Sequence, residues 1–287
     1  MNARLSLDHI GVAVHNLAQA REAYRKCGFN LTNLSIHSGQ PGPDGKVQQL
    51  GSGNHCAMFR QGYMELIGVV NPDKPSSVAP FLQTRQGGFI VALGCEDADV
   101  AYLSAVQSFP STQRPIALER IVTDPDGDSA KAQFRNVLLG TDFPEARILL
   151  IQHLTRDLIW REQEMIHPNG VIALLSAQLL VSNPMNVAGR YGSLVNARPE
   201  TRPSGAAIRL GQQSLQFLAK GQKGTPEAFC PSLFGAVFAV ANIFETKKFF
   251  DVNDVPYFKN ASGDLLVAPD DACGFALTFT TLNKDLS

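Results

Sequence analysis

This chain of 287 residues lacks the features that mark nucleic acid-binding, membrane-spanning and secreted proteins. Its 25 Lys and Arg are balanced by 26 Asp and Glu, so the formal net charge is −1, and no basic cluster is available to bind phosphates. No apolar run approaches the roughly 20 residues that cross a bilayer, and no apolar segment precedes the first strand pattern as a signal peptide would. We therefore expect no nucleic acid partner, no membrane partner and a cytoplasmic location.

The cysteines and the common catalytic motifs give further exclusions. The five cysteines are scattered without a Cys-X-X-Cys pair, and most follow apolar neighbours, which is typical of reduced core residues. The sequence has no GxGxxG, GxSxG, HExxH or P-loop motif. A dinucleotide enzyme, a common hydrolase, a zincin and a nucleotidase are therefore not expected, and no nucleotide cofactor is predicted.

What the sequence does contain is one structural plan that is repeated. Residues 5–14 alternate between apolar and other side chains with period two, which predicts a half-buried strand with His9 on one face. Residues 16–28 follow as a helix, from an Asn N-cap to a Gly in the left-handed position. Residues 62–69 predict the last strand of this first copy.

The same strand–helix–strand–strand–strand order can be followed through the rest of the chain, four times in all. The predicted fold is therefore α+β, with four tandem βαβββ modules that pair into two curved, incomplete mixed barrels. The predicted boundaries are 1–154 for the first domain (modules at about 5–70 and 88–154), 155–170 for a crossover linker, and 171–287 for the second domain (modules at about 171–220 and 233–284).

A βαβββ module with a histidine in its first strand and a glutamate in its last resembles the vicinal oxygen chelate superfamily, which includes glyoxalase I, extradiol dioxygenases and bleomycin-resistance proteins. The segments GSGNH (residues 51–55) and HPNG (residues 167–170) also resemble its glyoxalase-like branch. The resemblance implies that paired modules form a cup whose outer strands hold a divalent metal. His9 and Glu65 match such positions, and imidazole with carboxylate suits Fe, Mn, Ni or Zn.

A third metal ligand would have to come from the second module. Phe89 is aligned opposite His9, and phenylalanine cannot bind a metal. Either Gln152 or His153 falls opposite Glu65, depending on a strand register of one residue. With His153 pointing inward, the three ligands would be His9, Glu65 and His153, as in non-haem iron sites. With His153 pointing outward, the site would have two ligands and hold no metal tightly.

Other side chains are expected around this cup. Glu65 and Tyr63 are the predicted catalytic residues, because a buried carboxylate must be paired or ligated and Tyr63 shares its strand face. His37, beside a Gly/Pro-rich loop, is expected to be a lid residue or solvated. The Pro and Asn-Gly of HPNG dictate a turn, so His167 is expected to be structural. The predicted substrate-binding residues are His55, Asn54, Phe89, Gln152 and Met58.

Two classes of function follow from these residues. The first is a metal-dependent isomerase or lyase of the glyoxalase type, whose metal polarises two neighbouring oxygens of a small substrate while Glu65 moves a proton. Extradiol-type dioxygenation at iron is its variant, if His153 is a ligand. The second is a metal-free binding protein of the resistance type, with Phe89, Tyr63 and Met58 lining an apolar cup. The expected partner is a small molecule, or a second copy of the chain in a homodimer.

Overall fold

The structure is a computed structural model that describes residues 5–40, 44–123, 127–221 and 230–282. Its first half contains two strand–helix–strand–strand–strand units. The first unit consists of β1 (Ser6–Ala13), α1 (Leu17–Lys26), β2 (Ser35–Gly39), β3 (Gln48–Met58) and β4 (Tyr63–Val69). After a short helix, α2 (Ala79–Leu82), the second unit consists of β5 (Gly87–Gly94), α3 (Ala98–Ala105), β6 (Ile116–Thr123), β7 (Ser129–Leu138) and β8 (Arg147–His153).

The second half repeats the same order after two 3₁₀ turns, at Arg156–Leu158 and Glu162–Met165. Its first unit consists of β9 (Val171–Val181), α4 (Pro184–Val195), β10 (Glu200–Arg202), β11 (Gly205–Leu210) and β12 (Gln213–Ala219). Its second unit consists of β13 (Ser232–Val240), α5 (Ile243–Val252), β14 (Phe258–Lys259), β15 (Leu265–Val267) and β16 (Ala276–Thr281). The predicted α+β fold and its four modules are confirmed.

The first two units form a closed barrel with the strand order β1-β4-β3-β2-β6-β7-β8-β5. Within each unit the first and last strands run parallel, and the antiparallel pairs β1–β5 and β2–β6 join the units. The sequence predicted an incomplete barrel, whereas pairing of His37 on β2 with Arg120 on β6 closes it. Closure leaves the sheet with no free edge.

The last two units form an open sheet of eight strands, in the order β10-β11-β12-β9-β13-β16-β15-β14. Its edge strands, β10 and β14, have three and two residues, and short edge strands offer little backbone for pairing with another chain. Among the described residues, no helix is both long enough and apolar enough to span a bilayer.

The longest helix of each module begins at an Asn or Asp whose side chain accepts a backbone N–H of the first turn, and this cap satisfies an otherwise unpaired donor. The predicted cap of α1 is confirmed, and Gly28 ends that helix with a φ of 84°. These cap residues are Asn16, Asp97, Asn183 and Asn242.

The HPNG turn, which leads into β9, is anchored to the first module by hydrogen bonds, as a structural role requires. The backbone N–H of Asn30 donates to Nδ1 of His167 (2.9 Å), so Nε2 carries the proton and donates to the carbonyl of Met58 (2.7 Å). Nδ2 of Asn169 donates to the carbonyl of Cys27 (2.8 Å). Burial lowers the pKa of His167, which keeps this tautomer neutral.

Candidate active site

The closed barrel surrounds a cavity of about 420 Å³. The wall contributed by the first module is largely polar, and much of the wall contributed by the second is apolar. The polar side chains of the first module include His9, His37, Ser52, Asn54, Tyr63 and Glu65. The apolar side chains of the second module include Ile90, Ile116, Leu118, Leu138, Leu149 and Ile151.

Glu65 is the buried carboxylate at the centre of the polar wall, with 6% of its surface exposed. Its Oε1 accepts a hydrogen bond of 2.5 Å from Nδ2 of Asn54 and lies 3.5 Å from Nε2 of His37. Its Oε2 lies 4.0 Å from Nε2 of His9. A buried carboxylate needs partners of this kind, and here one amide and two imidazoles provide them.

His9 is held by a residue that the sequence analysis missed. Its Nδ1 lies 2.8 Å from Oδ1 of Asp8, the preceding residue, and Nε2 of His153 lies 3.1 Å from both Asp8 oxygens. Burial alone would raise the pKa of Asp8, but the hydrogen bonds from His153 and His9 outweigh it and hold that pKa well below 3.8. Strict alternation predicts that Asp8 points away from His9. A register shift between Leu7 and His9 changes the alternation.

The Asp8 carboxylate fixes the tautomer and the plane of the His9 ring. Because an ionised carboxylate only accepts hydrogen bonds, Nδ1 of His9 carries the proton in the neutral ring and Nε2 keeps its lone pair. The ring also stacks on Tyr63, with centroids 4.2 Å apart and planes at 20°. His9 therefore presents a basic nitrogen to Glu65 and the cavity.

His37 lies in the polar wall, and its predicted lid or solvated position is wrong. The residue is 5% exposed, and its Nδ1 lies 2.9 Å from the hydroxyl oxygen of Ser52. Burial lowers the pKa of His37 although the nearby Glu65 opposes the shift. His37 is therefore a neutral partner of the Glu65 carboxylate.

Arg120 and Tyr63 add hydrogen-bond donors to the same wall. Nη1 of Arg120 donates to Oδ1 of Asn54 (2.9 Å) and to Sγ of Cys56 (3.2 Å). Burial raises the pKa of Tyr63 well above 10, so its hydroxyl stays protonated. The sequence signal for Arg120 was a single arginine inside an apolar strand pattern, and the sequence analysis did not use it.

His153 points into the barrel, as one of the two predicted registers requires, but it does not approach Glu65. It binds Asp8, and the rings of Trp160 and Phe134 enclose it at centroid distances of 5.0 and 5.2 Å. The predicted convergence of His9, Glu65 and His153 is therefore not formed.

Phe89 and Gln152 were predicted to line the cavity, but the pairing of β5 and the alternation along β8 place both side chains outside it. Phe89 packs on Phe81, with ring centroids 4.8 Å apart, because a register shift between β1 and β5 leaves it between the paired residues Gly88 and Ile90. Ile90 is the residue that faces the cavity. Gln152 points outward, where its amide binds the backbone of Ala98 and Glu96 at the start of α3.

On β3, three predicted substrate-binding residues occupy different environments. Asn54 lines the cavity and connects Glu65 to Arg120. His55 lies off the cavity, and its Nδ1 donates to the carbonyl of Thr32 (2.9 Å). Met58 is fully buried in the barrel interior but does not line the cavity.

The residues that line the cavity do not fit a resident divalent metal. His9 and His37 lie at different oxygens of Glu65. The strand registers place Ile90 and Leu149 at the positions on β5 and β8 that correspond to His9 and Glu65, so the predicted placement of Phe89 opposite His9, and of Gln152 or His153 opposite Glu65, is wrong. Throughout the part of the chain that the structure describes, no three His, Cys, Asp or Glu side chains are grouped to hold a metal ion. The buried Arg120 guanidinium adds a positive charge beside this site.

Comparisons with solved structures give the same fold. A hypothetical protein from Staphylococcus aureus matches with a TM-score of 0.65 at 14% identity, over 96% of this chain and 99% of that one. A variant of 4-hydroxymandelate synthase from Streptomyces coelicolor matches with a TM-score of 0.57 at 10% identity, over 97% of this chain and 93% of that one. A search of curated proteins found no match.

A family profile that describes a glyoxalase-like domain matches residues 7–195, which is well over half of the chain. The match includes His9, Glu65 and the HPNG turn. The chain therefore belongs to the glyoxalase-like domain family.

Proposed function

We propose that the barrel of the first half binds a small oxygenated molecule and transfers a proton on it, using side chains rather than a metal as acid and base. The observation that carries this proposal is the pair formed by Oε2 of Glu65 and Nε2 of His9, 4.0 Å apart at the wall of the cavity inside the barrel. Carboxylate and imidazole are the usual groups for general acid–base catalysis. Isomerase or lyase chemistry of the glyoxalase type begins with such a transfer.

Glu65 is the proposed base. In the proposed step, the C–H bond next to a substrate carbonyl breaks and its proton moves to Oε2 of Glu65. The electron pair of that bond moves to the carbonyl oxygen and gives an enolate. Return of the proton to the same carbon completes an epimerisation. If that carbon carries a hydroxyl group whose proton moves to the enolate oxygen, return of the first proton to the neighbouring carbon completes an isomerisation instead. Neither reaction needs an oxidant or a reductant.

The hydrogen bonds around Glu65 suit this role. Asn54 donates to Oε1, so Oε2 is the oxygen left to face a substrate. His9 can take the proton onward from Oε2, because its Nε2 lone pair lies 4.0 Å away. The imidazolium formed in this way would be stabilised by the Asp8 carboxylate at Nδ1.

Two donors are available for the negative charge that develops on the substrate oxygen. The Tyr63 hydroxyl and the Arg120 guanidinium line the same cavity as Glu65. Donors fixed in a cavity of low dielectric stabilise a developing oxyanion more than water does. Each would therefore contribute to the rate rather than to the choice of substrate.

A second candidate function is binding without turnover, as in the resistance proteins of the superfamily. The observation that favours it is the apolar wall of the second module, which includes Ile90, Leu149 and Ile151. An apolar wall opposite a few polar groups is the common composition of small-molecule sites. Dioxygenation is not proposed, because His153 does not join His9 and Glu65.

Solvent exchange tests the proposed proton transfer. The protein in D₂O with EDTA would be incubated with pyruvate, 2-oxobutyrate, hydroxypyruvate and dihydroxyacetone, and proton NMR would follow loss of the C–H signals. We expect exchange above the uncatalysed rate for at least one compound, slowed about 100-fold or more in Glu65→Gln. The surface variant Glu22→Gln should match the parent. Saturable binding without exchange would overturn this proposal in favour of the binding function.

A further inference from the structure

Arg147 is a partly buried cation for which the described residues provide no partner. It is the first residue of β8, and its side chain lines the cavity. Burial lowers the pKa of Arg147, and no neighbouring carboxylate of the described residues offsets this effect. A partly buried guanidinium without a counter-charge in a cavity wall is a favourable place for an anion, because pairing would offset its partial loss of hydration.

Two further polar atoms at the cavity lack partners in the described part of the chain. Asn136 is 7% exposed, and its Oδ1 accepts no hydrogen bond. The hydroxyl oxygen of Ser76 also makes no hydrogen bond. Asn136 and Ser76 both line the cavity. Buried polar groups are nearly always paired, so unpaired ones that face a cavity are available for contacts with a ligand.

The charges of the cavity wall leave one positive charge uncompensated. Apart from histidines, its charged residues are Glu65, Arg120 and Arg147. Asn54 links the first two, because its amide donates to Glu65 and its oxygen accepts from Arg120. Arg147 is therefore the cation that remains for a monoanionic ligand.

The strand registers place Arg147 and Glu65 on one continuous wall. Glu65 pairs with Gly11 on β1, Gly11 with Ile90 on β5, and Ile90 with Arg147 on β8. The two residues are thus separated by three strand spacings of about 4.8 Å each along the curved sheet. Gly11 has no side chain to project from this wall between Glu65 and Arg147. A Cβ at Gly11 would lie only 2.9 Å from Cβ of Ile90.

We infer that Arg147 and Asn136 form an anion subsite, and that the ligand of this cavity is a small organic acid. Its carboxylate pairs with the planar Arg147 guanidinium, which matches carboxylate geometry. A hydroxyl or N–H group of the ligand donates to Oδ1 of Asn136. The inference rests on the proposed function for the cavity, since the anchored acid would extend along the wall toward Glu65.

Paired acids and amides test this inference by calorimetric titration. The probes are lactate, pyruvate and mandelate, with lactamide, pyruvamide and mandelamide as their neutral counterparts, and inorganic phosphate. We expect at least one acid to bind, with its amide at least 10-fold weaker. Arg147→Gln should weaken that acid by about 10- to 100-fold, Arg147→Lys should weaken it less, and the surface variant Arg198→Gln should not change it.

The outcomes separate this inference from the proposed proton transfer. Binding of an acid that depends on Arg147, without solvent exchange, supports the subsite and contradicts only the proton transfer. Equal binding of acid and amide, or binding that Arg147→Gln leaves unchanged, overturns the subsite. Binding of phosphate in preference to every acid overturns the carboxylate assignment. Thermal unfolding of each variant confirms that it is folded before its titration is interpreted.

Discussion

His9 and His153, which belong to different modules, hydrogen-bond to the same carboxylate, that of Asp8. This relationship gives His153 a role that differs from the metal ligand predicted from the sequence. Asp8 orients the His9 ring, and His153 in turn holds Asp8. The basic nitrogen of His9 is thereby fixed toward Glu65 by a buried chain of three side chains.

Removal of the Asp8 carboxylate should destabilise the protein. Asp8→Asn replaces an acceptor of two histidine hydrogen bonds with an amide, so we expect a loss of about 1–3 kcal/mol in the free energy of unfolding. The pKa of Asp8 is lowered in the fold, so its stabilisation is present above the unfolded pKa of about 3.9 and decreases as the pH falls below it.

Urea unfolding at pH 7, with acid titrations of the same proteins, measures both effects of Asp8→Asn. The exposed variant Asp73→Asn is the control and should match the parent within about 0.5 kcal/mol. A variant at position 8 as stable as this control would contradict the role assigned to Asp8.

Stability should also fall between pH 7.5 and pH 5.5 because of His37 and His167. Burial lowers the pKa of both, so below the unfolded pKa of about 6.5 the unfolded chain binds protons that the folded chain does not. Each histidine can contribute up to about 1.4 kcal/mol per pH unit. Unfolding curves over this range should show a shallower slope for His167→Gln than for the parent. An unchanged slope would contradict the assignment.

The two cavity arginines should respond to substitution in opposite directions. Arg147→Met removes an unpaired, partly buried charge and should raise the stability of the ligand-free protein by about 0.5–1 kcal/mol. Arg120→Met leaves Oδ1 of Asn54 without its donor and should lower stability by about 1–3 kcal/mol. Denaturant unfolding of both variants provides the comparison. Destabilisation by Arg147→Met would indicate a structural partner for that side chain.

Gly11 should tolerate no side chain. A Cβ at this position would lie 2.9 Å from Cβ of Ile90, so Gly11→Ala should cost about 1–3 kcal/mol through overpacking. The matched control is Gly189→Ala in α4, where a Cβ meets nothing within 4 Å and helix propensity should increase stability by about 0.5–1 kcal/mol. Thermal melts that shift the same way for both variants would contradict this account of β1 packing.

Much of the fold could be predicted from the sequence because its signals are local. The strands β1 and β4, the Asn16 cap and Gly28 are each signalled by a few neighbouring residues, and each is found in the structure. Tyr63 and Glu65 share a face for the same reason, since side chains two apart on a strand point the same way. The predicted half-burial of β1 is wrong, because both of its faces are covered.

The errors arose where the structure depends on register or on distant pairing. Asp8 and Phe89 lie at shifts in the pairing of β1 with β5, and a period of two cannot anticipate such irregularities. Arg120 reaches Asn54 only because β6 lies next to β2 in the closed barrel, a contact between modules. No local pattern specifies that contact.

The proposed independence from metal is tested most directly by comparing solvent exchange in two preparations of the wild-type protein. One would be stripped with EDTA, and the other would be reconstituted with Fe(II), Mn(II), Ni(II) or Zn(II) after stripping. If Glu65 and His9 move the proton by themselves, the exchange rates of the two preparations should agree within about 2-fold. Exchange only after reconstitution, or no exchange in either preparation, would contradict that mechanism.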